Sequence, residues 1–243
     1  MPSPRSEFLS GAKAELPILL GVLPFGMIYG VLALGAGLPA ESAQAMSSIV
    51  FAGSSQFVAT QLFRSGTPGL IIVLTTFIVN LRHALYSASV APHIKPLDAK
   101  WKGLLAYLLT DEAYAVAITR YNQTRSAPEA ATHRHWYFLG AGTVLWLTWQ
   151  TSTAAGILLG TQIPASWSLD FTLALTFIAL VVPALHDRPS IAAALAAGGV
   201  AVLAAGWPYK LGLMAAALIG IVMGMLAEAR EHPAAGQERI TEP

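Results

Sequence analysis

The sequence predicts an all-α, polytopic membrane helix bundle of about 6–8 transmembrane or re-entrant helical segments, and three observations carry that prediction. Hydrophobic residues make up 55% of the 243, charged residues only 11%, and the mean hydropathy is +0.58. A water-soluble domain carries about 25% charged residues, so this chain lacks the polar surface that a water-facing globule needs. The apolar residues also fall in blocks about 20 residues long, the length a bilayer demands, and not in the short stripes of a buried core. With 14 Lys+Arg against 13 Asp+Glu, the net charge of +1 leaves no basic footprint for nucleic acid. The chain has no cysteine, which removes disulfides, thiolate metal sites and cysteine nucleophiles together.

Taken in order, the first block is 16–38, uncharged and too long for the roughly 7–15-residue core of a signal peptide, so it reads as a retained first helix. Block 46–63 is shorter and carries Gly53, Ser54, Ser55 and Gln56 at its centre. Block 68–91 contains Asn80, Arg82 and His83, and block 103–119 contains Asp111 and Glu112. The remaining blocks, 136–160, 169–185, 190–206 and 211–227, are plainer, and the tail beyond 227 reads as a solvated end. Lys and Arg collect on the cytoplasmic side of membrane proteins. If all eight blocks cross, nine fall inside and four outside; if the second and fourth dip in and return, eleven fall inside and two outside. The re-entrant arrangement fits the charges better. An offset of 125 residues aligns Gly35, Leu38 and Pro39 with Gly160, Ile163 and Pro164, a weak repeat of two related halves (13–120 and 136–228) within one membrane domain covering 1–243.

Ionisable groups at membrane depth are costly when unpaired, so each asks for a partner. Thr76, Asn80, His83 and Ser87 recur at helical spacing and predict one polar face, with Arg82 pointing about 100° away from His83. The acids at similar depth predict an ion pair of Arg82 with Asp111 or Glu112. Tyr107, Asp111 and Tyr114 share a second helical face, and a carboxyl flanked by tyrosines away from water suits a proton-coupling role, with His83 as a second candidate carrier. Around Phe51, Gly53, Ser54, Ser55, Gln56 and Phe57, small residues and hydroxyls permit an unwound backbone. Its freed N–H and C=O groups, with Asn80, would hold the carboxylate and ammonium of an amino acid, while the phenylalanines would receive its side chain. Gly26/Gly30, Gly156/Gly160 and Gly220/Gly224 read as close-packing positions. His133 and His135 flank Arg134 in a loop and do not make a metal site.

The run Leu23-Pro24-Phe25-Gly26, then Met46-Ser47, Phe51-Ala52-Gly53-Ser54-Ser55-Gln56-Phe57, Asn80-Leu81-Arg82-His83-Ala84-Leu85-Tyr86-Ser87 and Asp111-Glu112-Ala113-Tyr114 resembles the AzlC family of branched-chain amino acid export permeases. The resemblance covers most of the chain. It implies a multi-pass inner-membrane protein that exports leucine, isoleucine, valine and often methionine with a small hydrophobic AzlD-type subunit as partner, and it supplies no residue-level assignment. No nucleotide-binding motif is present, so a proton gradient is the expected drive, with no cofactor. Two other readings stay open: a non-transporting assembly subunit of a membrane complex, and an intramembrane hydrolase using Ser54 or Ser55 with His83 as base.

Overall fold

The computed structural model describes residues 3–123, 133–160, 185, 187–208 and 211–231. They form ten helices with no strand among them, in two compact units, Met1–Trp167 and Ser168–Pro243.

In the first unit, α1 (Pro4–Gly35) begins well before residue 16, because Ser3 caps it by accepting the Ser6 N–H at 3.2 Å and Pro4 occupies a first-turn position where its missing N–H costs nothing. Glu7, Lys13 and Glu15 are therefore inside the helix. Its neighbour is α8 (Arg134–Gly160). Gly11 meets Tyr137, Gly26 meets Ser152 and Gly30 meets Gly156, so the two helices advance together and run parallel. A β carbon on Gly11 would lie 1.9 Å from the Tyr137 carbonyl oxygen, one on Gly140 2.0 Å from that of Phe8, and one on Gly156 2.1 Å from that of Met27. Backbone touches backbone along the whole pair, the geometry small residues permit when lipid offers no hydrophobic drive for association.

The Gly11/Tyr137 end of this pair is the near end, and the Val31/Gly160 end the far end. From the far end, α2 (Ala40–Val50) descends along α8. Gln44 Nε2 and Ser48 Oγ donate to Gln150 Oε1 at 2.8 and 2.9 Å, and Gln150 Nε2 donates to the Ser47 carbonyl at 3.2 Å. The chain turns at Phe51, whose φ of 41° is left-handed, and α3 (Gly53–Arg64) leaves in the opposite sense. It forms an antiparallel hairpin with α4 (Gly69–Val79), the start of α3 meeting the end of α4 through Ser55 and Asn80. After Asn80-Leu81, α5 (Arg82–Ile94) continues with a 40° bend to the near end, where Arg134 Nη1 lies 2.9 Å from His93 Nδ1. One broken span, α4–α5, thus crosses from far end to near end, and both outer ends of the α2–α3 hairpin lie at the far end.

A second hairpin enters from the near end. In α6 (Ala99–Tyr107) the Trp101 ring packs 5.0 Å from that of Trp136 and Leu108 closes on Gly142. After Leu108–Thr110 the chain returns as α7 (Asp111–Gln123), and Arg120 reaches Glu7 at 3.0 Å while the Tyr121 hydroxyl donates to the Arg134 carbonyl at 3.3 Å. Half-helices of 9 to 13 residues are about 14–20 Å long, enough to reach the middle of a ~30 Å hydrocarbon core and no further. The second and fourth blocks therefore each fold as a hairpin of half-helices entered from opposite ends of the α1–α8 pair, the shape that the arrangement with the stronger charge bias requires.

In the second unit, α9 (Arg188–Leu203), capped by Asp187 Oδ1 accepting the Ser190 N–H at 2.7 Å, packs antiparallel on α10 (Leu211–Glu231). Gly220 and Gly224 close on Ala197 and Ala193. The predicted block 169–185 lies outside the described residues except for Leu185, and so do Ile163 and Pro164 of the repeat. Large apolar side chains such as Leu20, Leu70, Phe77 and Leu195 stand exposed, as surfaces facing lipid do.

Two outcomes follow from this frame. Gly156→Val should cost stability at the upper end of about 1–3 kcal/mol, while Gly21→Ala, with nothing within 4 Å of its β carbon, should be neutral or slightly stabilising; thermal melts in detergent compare them. Because the chain lacks cysteine, Ser65→Cys and Lys100→Cys should be labelled by an impermeant maleimide from opposite faces, Ser65→Cys from the face reached by a cysteine at Gly37. A Lys100→Cys that labels together with Gly37→Cys would restore the arrangement in which every block crosses.

Candidate functional site

All three interruptions meet at one depth. α3 begins at Gly53 with no side chain capping it, α5 begins at Arg82 likewise uncapped, and α7 begins at Asp111 with Thr110 Oγ1 accepting the Ala113 N–H at 3.3 Å. A helix start presents unpaired N–H groups and the positive end of the backbone dipole. The starts of α3 and α7 converge with the Arg82 guanidinium and with the start of α5, where the His83 and Ala84 N–H groups already donate to the Asn80 and Leu81 carbonyls at 2.9 and 3.0 Å, and the two acids in the first turn of α7, Asp111 and Glu112, lie where that positive potential gathers.

Side chains tie the starts together. Arg82 Nη1 pairs with Asp111 Oδ2 at 2.5 Å, and Arg82 Nη2 donates to Ser54 Oγ at 2.7 Å, so one guanidinium holds α3, α5 and α7 in register. Ser55 Oγ donates to Asn80 Oδ1, joining α3 to the α4–α5 break. The side chains of Arg82 and Asp111 keep 32% and 38% of their surface accessible, so the pair faces an opening rather than the core. Tyr114 stacks on Tyr86 with ring centroids 4.6 Å apart and its hydroxyl donates to Ser89 Oγ at 3.0 Å, which binds α7 along α5 below the break.

The remaining predicted residues lie around this cluster in different surroundings. Phe51, 5% exposed, sits in the break against Tyr107 at 6.0 Å. Phe57 is core, edge-on to Phe25 and Tyr29 at 5.9 and 6.0 Å. Gln56 is fully buried and accepts from Trp149 Nε1 at 3.1 Å. His83 Nδ1 lies 3.1 Å from the Asn80 carbonyl, one turn back on its own chain. The hydroxyls of Ser54 and Ser55 therefore engage Arg82 and Asn80, and the observed contacts build no serine–histidine dyad.

Three expectations need correcting. The backbone is not unwound through Gly53–Phe57; the irregular stretch is only Phe51-Ala52, and Gly53 already starts α3, because Phe51 takes the left-handed turn and frees the glycine for helix. Tyr107, Asp111 and Tyr114 do not share a helix face either. Tyr107 ends α6, where its hydroxyl donates to the Ser48 carbonyl and accepts from Trp146 Nε1, both at 2.7 Å, whereas Asp111 opens α7. The face drawn through Thr76, Asn80, His83 and Ser87 is likewise divided by the Asn80-Leu81 break.

Sequence reasoning missed the break within block 68–91, the position of the turn inside the re-entrant block 103–119, and one carboxyl. Thr110 followed by two acids is a helix-start signature that was legible for α7. Glu15 lies one residue before the uncharged block and is wholly buried on α1.

The AzlC family model, described as AzlC protein, matches residues 17–163, the stretch that holds both hairpins, the broken span and their framing helices. The chain belongs to the AzlC family. Among AzlC relatives, the inner membrane protein YgaZ of Escherichia coli is 28% identical over 235 residues, covering 93% of this chain and 91% of that one. A membrane protein of Archaeoglobus fulgidus is 28% identical over 203 residues, 82% and 85% of the two chains. The branched-chain amino acid transport protein AzlC of Bacillus subtilis is 26% identical over 178 residues, 73% and 67% of the two. No solved structure matches the chain. With relatives so named and helices of spanning length and composition, this AzlC-family chain is a multi-pass inner-membrane protein.

The site geometry makes one prediction on its own. A double-mutant cycle of Arg82→Gln and Asp111→Asn should return a favourable coupling between about 0.5 and 3 kcal/mol in melting experiments, the double mutant losing less than the sum of the singles. Additive losses would mean that the pair does not hold the break together.

Proposed function

We propose that the chain is a secondary transporter that exports branched-chain aliphatic amino acids, leucine, isoleucine, valine and also methionine, with proton coupling and a small AzlD-type membrane subunit as partner. The observation that carries this reading is the meeting of three interrupted helices at the Arg82–Asp111–Ser54 cluster. Discontinuous helices at membrane depth are how transporters offer backbone groups to a polar substrate while keeping them from lipid. An amino acid's carboxylate suits the uncapped start of α3 at Gly53, Ser54 and Ser55 together with Arg82, and its ammonium suits Asp111 and the Asn80 amide oxygen. The printed name of the Bacillus subtilis relative supports the substrate class.

Near the site, a cavity of about 620 Å³ is lined by Val90, Ala91, Leu105, Leu109 and Phe138, with Lys95 and Lys102 among its lining. Its apolar walls fit an aliphatic side chain, and the lysines attract a carboxylate at the near end. Arg5, Lys13, Lys95, Lys100, Lys102, Arg120 and Arg134 all belong to the near half while Arg64 lies at the far end, which makes the near end cytoplasmic. One methylene in an apolar pocket is worth about 1–3 kcal/mol, so discrimination among the aliphatic substrates is modest.

Efflux of labelled leucine, valine and methionine from preloaded proteoliposomes, with and without an AzlD-type subunit and with and without a pH gradient, tests the reading. The expected result is gradient-stimulated efflux of all three within about tenfold of one another, reduced by Asp111→Asn and by Arg82→Gln. A folded, partnered complex that moves none of them would overturn it in favour of an assembly subunit.

A further inference from the structure

Glu15 is the least exposed acid among the described residues of the first unit and takes no part in the cluster just described. It is 0% exposed, and neither carboxyl oxygen has a hydrogen-bond partner. A carboxyl in such a place is accommodated at tolerable cost as the neutral acid, since the ionised form lacks both water and a donor. It shares the buried face of α1 with Gly11 and Glu7, one and two turns toward the near end, and Glu7 pairs with Arg120 there at 3.0 Å. Since Gly11 meets Tyr137 and Gly26 meets Ser152, Glu15 stands level with Ala141 and Gly142, where Leu108 of the α6–α7 break closes on α8.

The charged and titratable groups around it come from every packed element. α7 packs against α1 and carries Glu112 and Asp111 in its first turn, with Arg120 farther along toward the near end. On α8, Tyr137 meets Gly11, one turn from Glu15, and its ring lies 5.5 Å from the Arg120 guanidinium carbon. From α5 come Arg82 and His83 at the break, while Glu41 on α2 and Arg64 on α3 stand at the far end. No group of three or more His, Asp or Glu among the described residues is placed to hold a metal ion.

We propose that Glu15 is the proton-relay carboxyl of the transport cycle, exchanging a single proton with Glu112 across the α1–α7 contact. The proposal rests on the transporter reading above. In the step, the O–H bond of Glu112 breaks, an O–H bond forms on Glu15, and the negative charge passes from Glu15 to Glu112. A charged Glu112 faces Arg82 and strengthens the attraction of the break for an incoming ammonium; a protonated Glu112 weakens it. Glu15 then releases its proton toward the near end, so each cycle carries a proton from the far end to the near end and substrate the other way.

Glu15→Gln keeps the size and neutrality of the protonated side chain. In proteoliposomes, counterflow exchange of labelled leucine without any gradient should stay within about twofold of wild type, while stimulation by a pH gradient is lost. Glu15→Asp, which can still carry a proton, should retain stimulation with a displaced pH profile and keeps the test open if Glu15→Gln fails to fold. Stimulation that persists in Glu15→Gln, or drive in wild type that follows a sodium gradient instead, would overturn the relay and leave the transporter standing. Wild-type complex that shows no exchange would overturn the transporter reading, and the relay with it.

Discussion

One guanidinium holds the centre of this protein. Arg82 at membrane depth is tolerable only because its charge is answered by Asp111 and by the Ser54 hydroxyl, and the same two contacts fasten three helix starts to one another. Remove either partner and the Arg82 guanidinium or the Asp111 carboxylate is left without its counter-charge at membrane depth, at several kcal/mol per group. The acids of α7 belong to the same balance, since negative charge is favoured where positive dipole ends gather. Local sequence and global architecture are joined at this point: three interrupted helices meet at mid-depth through a cation from α5, an anion from α7 and a hydroxyl from α3.

The frame around that centre is of a different kind. α1 and α8 are held by backbone contact, with Gly11, Gly30, Gly140 and Gly156 placed where any side chain would collide with a carbonyl group. The re-entrant hairpins are attached to this frame by side-chain hydrogen bonds, Gln44 and Ser48 to Gln150, Trp149 to Gln56, and Trp146 to Tyr107, whose own hydroxyl joins the two hairpins by donating to the Ser48 carbonyl. Such bonds within membranes are worth about 0.6–2 kcal/mol each, while a backbone-on-backbone seam leaves no room for adjustment. The molecule thus combines a close-fitted pair with two half-depth hairpins on polar tethers, a division that suits a fixed support and a site able to change its contacts.

How much of this was readable in advance depends on the kind of signal. The bundle class followed from block length and charge scarcity, because hydrocarbon thickness acts on composition directly. The re-entrant pattern was legible through Lys95, Lys100 and Lys102, whose side of the membrane is a long-range constraint written in single residues. The pairing of Arg82 with an acid near 111 followed from cost alone, but the choice of Asp111 over Glu112 depended on which side chain α7 turns toward α5. Helical periodicity failed across residues 107–114, since a face projected through a break has no meaning, and Thr110 with its following acids was the overlooked sign of that break.

By itself the sequence determined the solvent of this protein, the number and order of its apolar blocks, and the need of its buried charges for partners, because these depend on transfer free energies that each residue carries wherever it sits. Only the tertiary structure decided that three interruptions fall at one depth, that α1 and α8 run parallel in backbone contact, and that Glu15, one position from a stretch of uncharged helix, is sealed without a partner. Those are properties of relative position in space, and a residue acquires them from neighbours that lie far from it along the chain.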